Sequence, residues 1–86
     1  MAYKVIYSAE AERQIRKLDR QIAERILKLM DRVEALTDPR AIGEALHGDL
    51  SDRWKYRAGD WRIIAAIHDK LVLVEVIEVS HRSAAY

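Results

Sequence analysis

The chain contains no cysteine. That absence removes a disulfide framework, a thiolate zinc site and a cysteine nucleophile together. It also suits a reducing, cytoplasmic location. Histidine is scarce: His47, His68 and His81 stand far apart without ligand spacing, so no structural metal and no cofactor is expected. No apolar run approaches the ~18 residues of a membrane span. The N-terminal MAYKVIYSAEAER turns charged at once, which is not how a signal peptide reads. Repeats, low-complexity stretches and linkers are all missing, and 86 residues suit one domain, 1–86. An excess of one charge is missing too. The formal net charge is only +1, which argues weakly against a free-standing nucleic-acid binder, since those are usually strongly basic.

The charge that is present is unevenly placed. Residues 53–62, RWKYRAGDWR, hold four basic residues, one acid and three aromatics, whereas the first half of the chain mixes its signs and largely cancels. Residues 3–7, YKVIY, are β-branched and aromatic-rich and predict a first strand. Ser8 then stands where a helix cap is needed, with Glu10 and Glu12 complementing the dipole of a helix that runs to about Leu18. Ala11, Ile15 and Leu18 share its apolar face, and Asp19 is placed to cap the next helix. In that helix Ile22, Ile26, Leu29, Val33 and Leu36, spaced four, three, four and three, form an apolar seam. Thr37-Asp38-Pro39 ends it, because the residue before proline is pushed out of α conformation. The pair reads as an αα-hairpin. In residues 40–50, RAIGEALHGDL, Gly43 and Gly48 argue against a full helix and leave room for one turn around residues 44–46. Three strand-like runs follow at about 51–58, 61–68 and 71–79, joined by Gly59-Asp60 and Asp69-Lys70, both with hairpin chemistry. The expected order is β-α-α-β-β-β, an α+β fold with the helical hairpin packed on one face of an antiparallel sheet.

Candidate chemistry sits on the hairpin of residues 53–68. With Gly59-Asp60 as a two-residue loop, Ala58 faces Trp61, Arg57 faces Arg62 and Lys55 faces Ile64. Trp54, Tyr56, Trp61, Ile63, Ala65 and Ile67 then share one face, and Arg53, Lys55, Arg57 and Arg62 the other. A three-residue loop would move Arg62 onto the aromatic face, so binary patterning favours the shorter one. Like charges directly opposite destabilise a sheet by roughly a few tenths of a kcal/mol, and an anion between Arg57 and Arg62 would relieve that repulsion. The competing readings are neutralisation by Asp52, Asp60, Glu75 or Glu78, or arginines that simply point into water. Trp54 and Trp61 read as core aromatics ahead of base-stacking platforms, and His68 beside Asp69 as a turn residue. His81 fits either a proton donor or a satisfied surface residue. After the last strand, Arg82 can fold over the basic face, and Tyr86 is either a frayed end or a ring that stacks on a base. Lys55, Arg62, Arg82 and Tyr86 together lack a carboxylate or imidazole at their centre. They would suit phosphoryl chemistry on RNA: arginines stabilise the charge of a phosphorane, and a lysine among cations takes a proton from the ribose 2′-OH.

YKVIYSAEAERQIRKLD, then the helix pair, then LHGDLSDRWKYRAGDWRII, then VLVEVIEVSHRSAAY, resembles the RelE/ParE toxins nearly end to end. The WKYRAGDWRII hairpin and the final His-Arg-x-x-x-Tyr carry most of the likeness. The resemblance implies a β-α-α-β-β-β toxin held by a cognate antitoxin protein. For the RelE branch it implies ribosome-dependent, metal-independent cleavage of mRNA in the A site by 2′-OH attack, leaving a 2′,3′-cyclic phosphate and a 5′-OH. By position it implies Lys55 as general base, Arg62 stabilising the phosphorane, Arg82 protonating the leaving 5′-oxygen, and Tyr86 stacking on the substrate. It places Arg57 on phosphate or rRNA. Arg53 stands where the best-studied branch has a lysine, and arginine does not act as a base. With His81, Arg53 and Arg57 make up the expected RNA- and phosphate-binding set. No membrane partner is implied. The alternative within the family is a ParE-like DNA gyrase inhibitor, a binding protein that would not need this set, and a third is an inactive relative or a small sheet protein that uses its apolar seam for assembly.

Overall fold

The computed structural model describes residues 2–46 and 53–84. The first strand, β1 (Lys4–Tyr7), ends at Ser8, which stays extended at φ −67°, ψ 161°. Its hydroxyl oxygen accepts the Ala11 N–H at 3.0 Å and its O–H donates to the Ile77 carbonyl at 3.0 Å. One residue therefore caps α1 (Ala9–Arg16) and ties it to the last strand. The helix stops at Arg16, short of the expected Leu18, because the Lys17 and Leu18 N–H groups bond to carbonyls three residues back, Gln14 and Ile15. Asp19 does cap α2 (Arg20–Ala35), its carboxylate accepting the Gln21 N–H at 2.8 Å.

After α2 the chain makes a 3-10 turn over Pro39–Ala41, capped by Asp38. It then forms a short edge strand, β2 (Glu44–Ala45), paired antiparallel with β3 (Arg53–Ala58). The expected helical turn at residues 44–46 is thus a strand. Gly43 explains the difference. It takes φ +85°, and a Cβ there would sit 2.5 Å from the Lys55 carbonyl oxygen and 2.6 Å from Trp54 Nε1. Only glycine allows the backbone to approach β3 so closely. Gly48 and the expected strand start at residue 51 lie outside the described residues.

Strands β3, β4 (Trp61–His68) and β5 (Leu73–His81) form the expected antiparallel series. The sheet as a whole is mixed, in the order β1-β5-β4-β3-β2, because β1 lies parallel to β5. The second joint is longer than Asp69-Lys70. It makes a 3-10 turn over Asp69–Leu71 and closes at Val72 in the left-handed region, φ 55°. Arg40 forks onto Asp69 with two bonds of 3.0 Å, and the Tyr3 hydroxyl donates to the same carboxylate at 2.7 Å. These bonds, Arg40's first, hold the Asp69 carboxyl below its ordinary range.

The helices cover one face of the sheet. Ala11, Ile26, Met30 and Val33 pack onto Tyr56, Ala58, Ile63, Ala65, Val74, Val76 and Val79, with Ile15, Leu18, Ile22, Leu29, Trp54 and Trp61 partly buried around them. Val76 and Val79 share that face although they are three residues apart. A bulge makes this so: Ala65 pairs with Val76 and Ile64 with Glu78, so Ile77 is the extra residue. Polar groups of α1's end satisfy the disturbed ladder. Ser8 donates to the Ile77 carbonyl, and Gln14 Oε1 accepts the Val79 N–H at 2.6 Å.

Tyr56 is fully buried and donates to the Pro39 carbonyl at 2.6 Å. Burial pushes its phenol up to about 12. A group whose folded value is raised above the unfolded ~10 stabilises fully below pH ~10 and loses that contribution as pH rises toward 12. Tyr56→Phe is expected to lower stability by about 1 kcal/mol at pH 7 by orphaning the Pro39 carbonyl. It is also expected to make the loss of stability above pH ~10 shallower; urea unfolding at both pH values checks this. Gly43→Ala should cost about 2 kcal/mol or more, from left-handed backbone plus the collision with the Lys55 carbonyl, measured by the same unfolding curves.

Candidate functional site

The hairpin register is the one the patterning favours. Ala58 pairs with Trp61, Arg57 with Arg62 and Lys55 with Ile64. Gly59 takes φ +61° at the first central position of the two-residue loop, as a II′ turn requires. Trp54, Tyr56, Ala58, Trp61, Ile63 and Ala65 therefore turn toward the helices, and Arg53, Lys55, Arg57 and Arg62 turn away.

Arg82 joins them through the bulge. With Ile77 inserted, Ser80 pairs with Arg62, and the chain next carries Arg82 toward the same side. The Arg82 N–H donates to the Asp60 carbonyl at 2.8 Å, which anchors the segment to the hairpin turn. Arg57, Gly59, Asp60, Arg62 and Arg82 line one recess of about 180 Å³. Asp60 is the acid among them, its carboxylate 3.6 Å from the Arg82 guanidinium, both side chains mostly exposed. Of the acids considered as neutralisers, Asp60 is the one at the recess; Glu75 contacts His68 at 3.0 Å instead, and Asp52 lies outside the described residues.

Lys55 lies one pleat further along the same face. It borders a neighbouring recess of about 380 Å³ with Arg32, Gly43, Glu44 and Tyr56, and Arg57 lines both hollows. Its ammonium is 2.9 Å from the Glu44 carboxylate, with the lysine side chain only 17% exposed. Glu44 is the residue that sequence reasoning missed. Residues 40–50 carry no periodic pattern, and only the edge pairing of β2 brings Glu44 beside Lys55.

The structure does not bring every expected residue to the recess. His81 pairs with Trp61 and packs edge-on against it, ring centroids 5.2 Å apart at 78°, on the helix-facing side of the sheet. The bulge is the reason, since it reverses the facing of every residue beyond Ile77. The ring's Nδ1 accepts the Ser83 N–H at 3.1 Å and meets the Ser83 hydroxyl at 2.7 Å, so in the neutral ring the proton belongs on Nε2. Arg53 stays on the basic face, opposite Ala66 and two residues from Lys55. Tyr86 lies outside the described residues. Trp54 and Trp61 are core aromatics as expected, Trp54 Nε1 donating to the Ile42 carbonyl at 2.8 Å. His68 ends β4 at the turn. No helix among the described residues is long and apolar enough to cross a membrane.

The family described as the ParE toxin of the type II toxin–antitoxin system parDE matches residues 5–86. The toxin RelE of Mycobacterium tuberculosis is 33% identical over 84 residues, 98% of this chain and 86% of its own. The isolated E. coli RelE toxin superposes with a TM-score of 0.79 at 27% identity, covering 98% of this chain and 88% of that one. The toxin in the intact E. coli RelBE toxin–antitoxin complex gives 0.76 at 29% identity, covering 93% and 96%. With the α+β fold and nearly the whole length in agreement, the chain belongs to the RelE/ParE family of type II toxin–antitoxin toxins.

Proposed function

We propose that the chain is an endoribonuclease of the RelE type, which cleaves mRNA in the ribosomal A site and so inhibits translation. One observation carries the reading: Arg57, Arg62 and Arg82, from two paired strands and the segment after β5, converge on one recess of about 180 Å³. The scissile phosphate sits there. The ribose 2′-OH attacks it, and the arginines hold its oxygens most strongly as negative charge grows on the phosphorane. The bond from phosphorus to the 5′-oxygen then breaks, leaving a 2′,3′-cyclic phosphate; Arg82 stabilises the departing oxygen, which takes its proton from solvent to become the 5′-OH. Lys55 and Glu44, 2.9 Å apart, form the proton-accepting pair for the 2′-OH. Lys55 takes a proton only once it has given one up, and Glu44 is the acceptor in place. Tyr86 stacks on the substrate base, and Arg53 binds backbone on the flank. His81, fixed on Trp61 and Ser83, sets the course of the chain into Arg82.

A net charge of +1 suits this role, because the ribosome supplies most of the docking and positions the substrate. The same role locates the protein in the cytoplasm. E. coli RelE has been crystallised with RelB, and by likeness we infer a cognate antitoxin protein for this chain. No cofactor enters the scheme.

The second reading is a ParE-like DNA gyrase inhibitor, favoured by the description of the matching family. It predicts inhibition of supercoiling and no dependence on the arginines of the recess. Ribosome-bound mRNA cleavage and gyrase supercoiling, assayed side by side, separate the two. Arg62→Ala and Arg82→Ala are each expected to lower cleavage by about 10²-fold or more and to abolish toxicity in cells, with unfolding curves unchanged. Glu44→Gln should slow cleavage by roughly 10²-fold. Undiminished toxicity in both arginine variants removes the assignment.

A further inference from the structure

Helix α2 sorts its charges. Arg25, Lys28 and Arg32, spaced three and four, share one flank. Asp31 and Glu34 take the opposite flank: both act on Tyr7, and Glu34 accepts the Val5 N–H at 2.8 Å. The basic flank faces β3. Arg25, Lys28, Leu29, Arg32, Arg57 and Ala58 line a hollow of about 310 Å³, and Arg57 also lines the recess with Arg62 and Arg82. Arg25 reaches the hairpin turn itself, since a Cβ on Gly59 would lie 3.0 Å from its Nη1. Among the described residues, Arg25, Lys28, Arg32, Arg57 and Arg62 form no ion pair. Six cations thus run together, with Asp60 beside Arg82 and with Glu44 lining a recess with Arg32 and Arg57, in a chain whose net charge is only +1.

We propose that this stripe is a second binding track, for the backbone phosphates of RNA beyond the cleaved nucleotide, with Arg57 as its junction to the recess. The inference rests on the reading that the recess takes a ribonucleotide phosphate. Neighbouring cations without acid partners repel one another, and a polyanion laid along them removes that repulsion. From Arg25 to Arg32 the stripe is about 10 Å long at the helical rise, and it continues across β3, which fits a strand better than a single anion. A protein partner would be expected to find apolar or aromatic anchors; here only Leu29 and Ala58 are apolar. The track contributes docking and leaves the chemical step alone.

The test uses the full chain, wild type and Arg25→Gln/Lys28→Gln. Binding of non-cleavable 2′-O-methyl RNA is followed by fluorescence anisotropy across a salt series. One probe is a dinucleotide, which offers the recess a single backbone phosphate, and the other a longer single strand. The double variant is expected to bind the longer strand about fivefold more weakly at low salt. The slope of log affinity against log salt should fall by about 1.4, at ~0.7 per phosphate contact. The dinucleotide should bind unchanged. An unchanged slope for the longer strand overturns the track, and if Arg62→Ala still weakens both probes the recess reading stands. If Arg62→Ala weakens neither, the recess reading fails and the track with it. Retained RNA binding with lost affinity for a polyglutamate peptide overturns the proposal in favour of an acidic protein partner.

Discussion

The loop between β3 and β4 has two residues, and nearly everything else takes its position from that. Gly59 at φ +61° closes it, and closure in this register puts Arg57 opposite Arg62. A slip of one residue would exchange the faces, turning Arg62 toward Ile26 and Met30 and the aromatics into water. Burying an unpaired guanidinium costs several kcal/mol, whereas two like charges opposite each other cost a few tenths. The tenfold heavier penalty on a buried guanidinium selects the register. The sheet keeps Tyr56, Ile63 and Ala65 in the core and tolerates two arginines facing each other on its open side.

The bulge at Ile77 supplies the second reference point. Without it, strand alternation from Val74 and Val76 would turn His81 outward and Arg82 inward. With it, His81 folds onto Trp61 and Arg82 is delivered to the turn, where its N–H meets the Asp60 carbonyl. The bulge depends in turn on α1, because Ser8 and Gln14 take up the backbone groups that the ladder drops. A helix cap on one side of the sheet thereby fixes a cation on the other. Gly43 works in the same way at the far edge, where its missing side chain lets Glu44 come within 2.9 Å of Lys55.

Features governed by periodicity were legible in the sequence. Most of the α2 seam, the caps at Ser8 and Asp19, and the sorting of aromatics from cations on the hairpin follow from spacing between neighbours, although fully buried Met30 falls outside the four-three spacing and Leu36 lies past the helix end. Features governed by a single backbone irregularity were not. The pattern Val74, Val76, Val79 contains the bulge as a change of parity, but its effect on His81 emerges only once the pairing with β4 is known. Val72 closes its turn in a left-handed conformation that a β-branched residue disfavours, and no turn signature marks it. Parallel pairing of β1 with β5 joins residues some seventy apart, and strand composition alone does not specify direction. The basic flank of α2 was present as Arg25, Lys28 and Arg32. Summing charge over the first half hid it, because acids on α1 and at the caps, and Asp31 and Glu34 on the other flank of α2, cancel the total.

On the proposed reading, Asp60 is a weak occupant of a place meant for the substrate. Asp60 and Arg82 stand 3.6 Å apart with both side chains largely in water, and such pairs contribute about 0–1 kcal/mol. That is enough to offset the repulsion between Arg57 and Arg62, which is of similar size. It is not enough to hold the recess against a phosphate, since hydrogen bonds to charged groups contribute roughly 1.5–3 kcal/mol each. Asp60 can therefore steady the cations in the free protein and yield to a stronger anion without a change of fold. Its backbone stays where it is, because the carbonyl that anchors Arg82 and the turn that sets the register belong to the same residue pair.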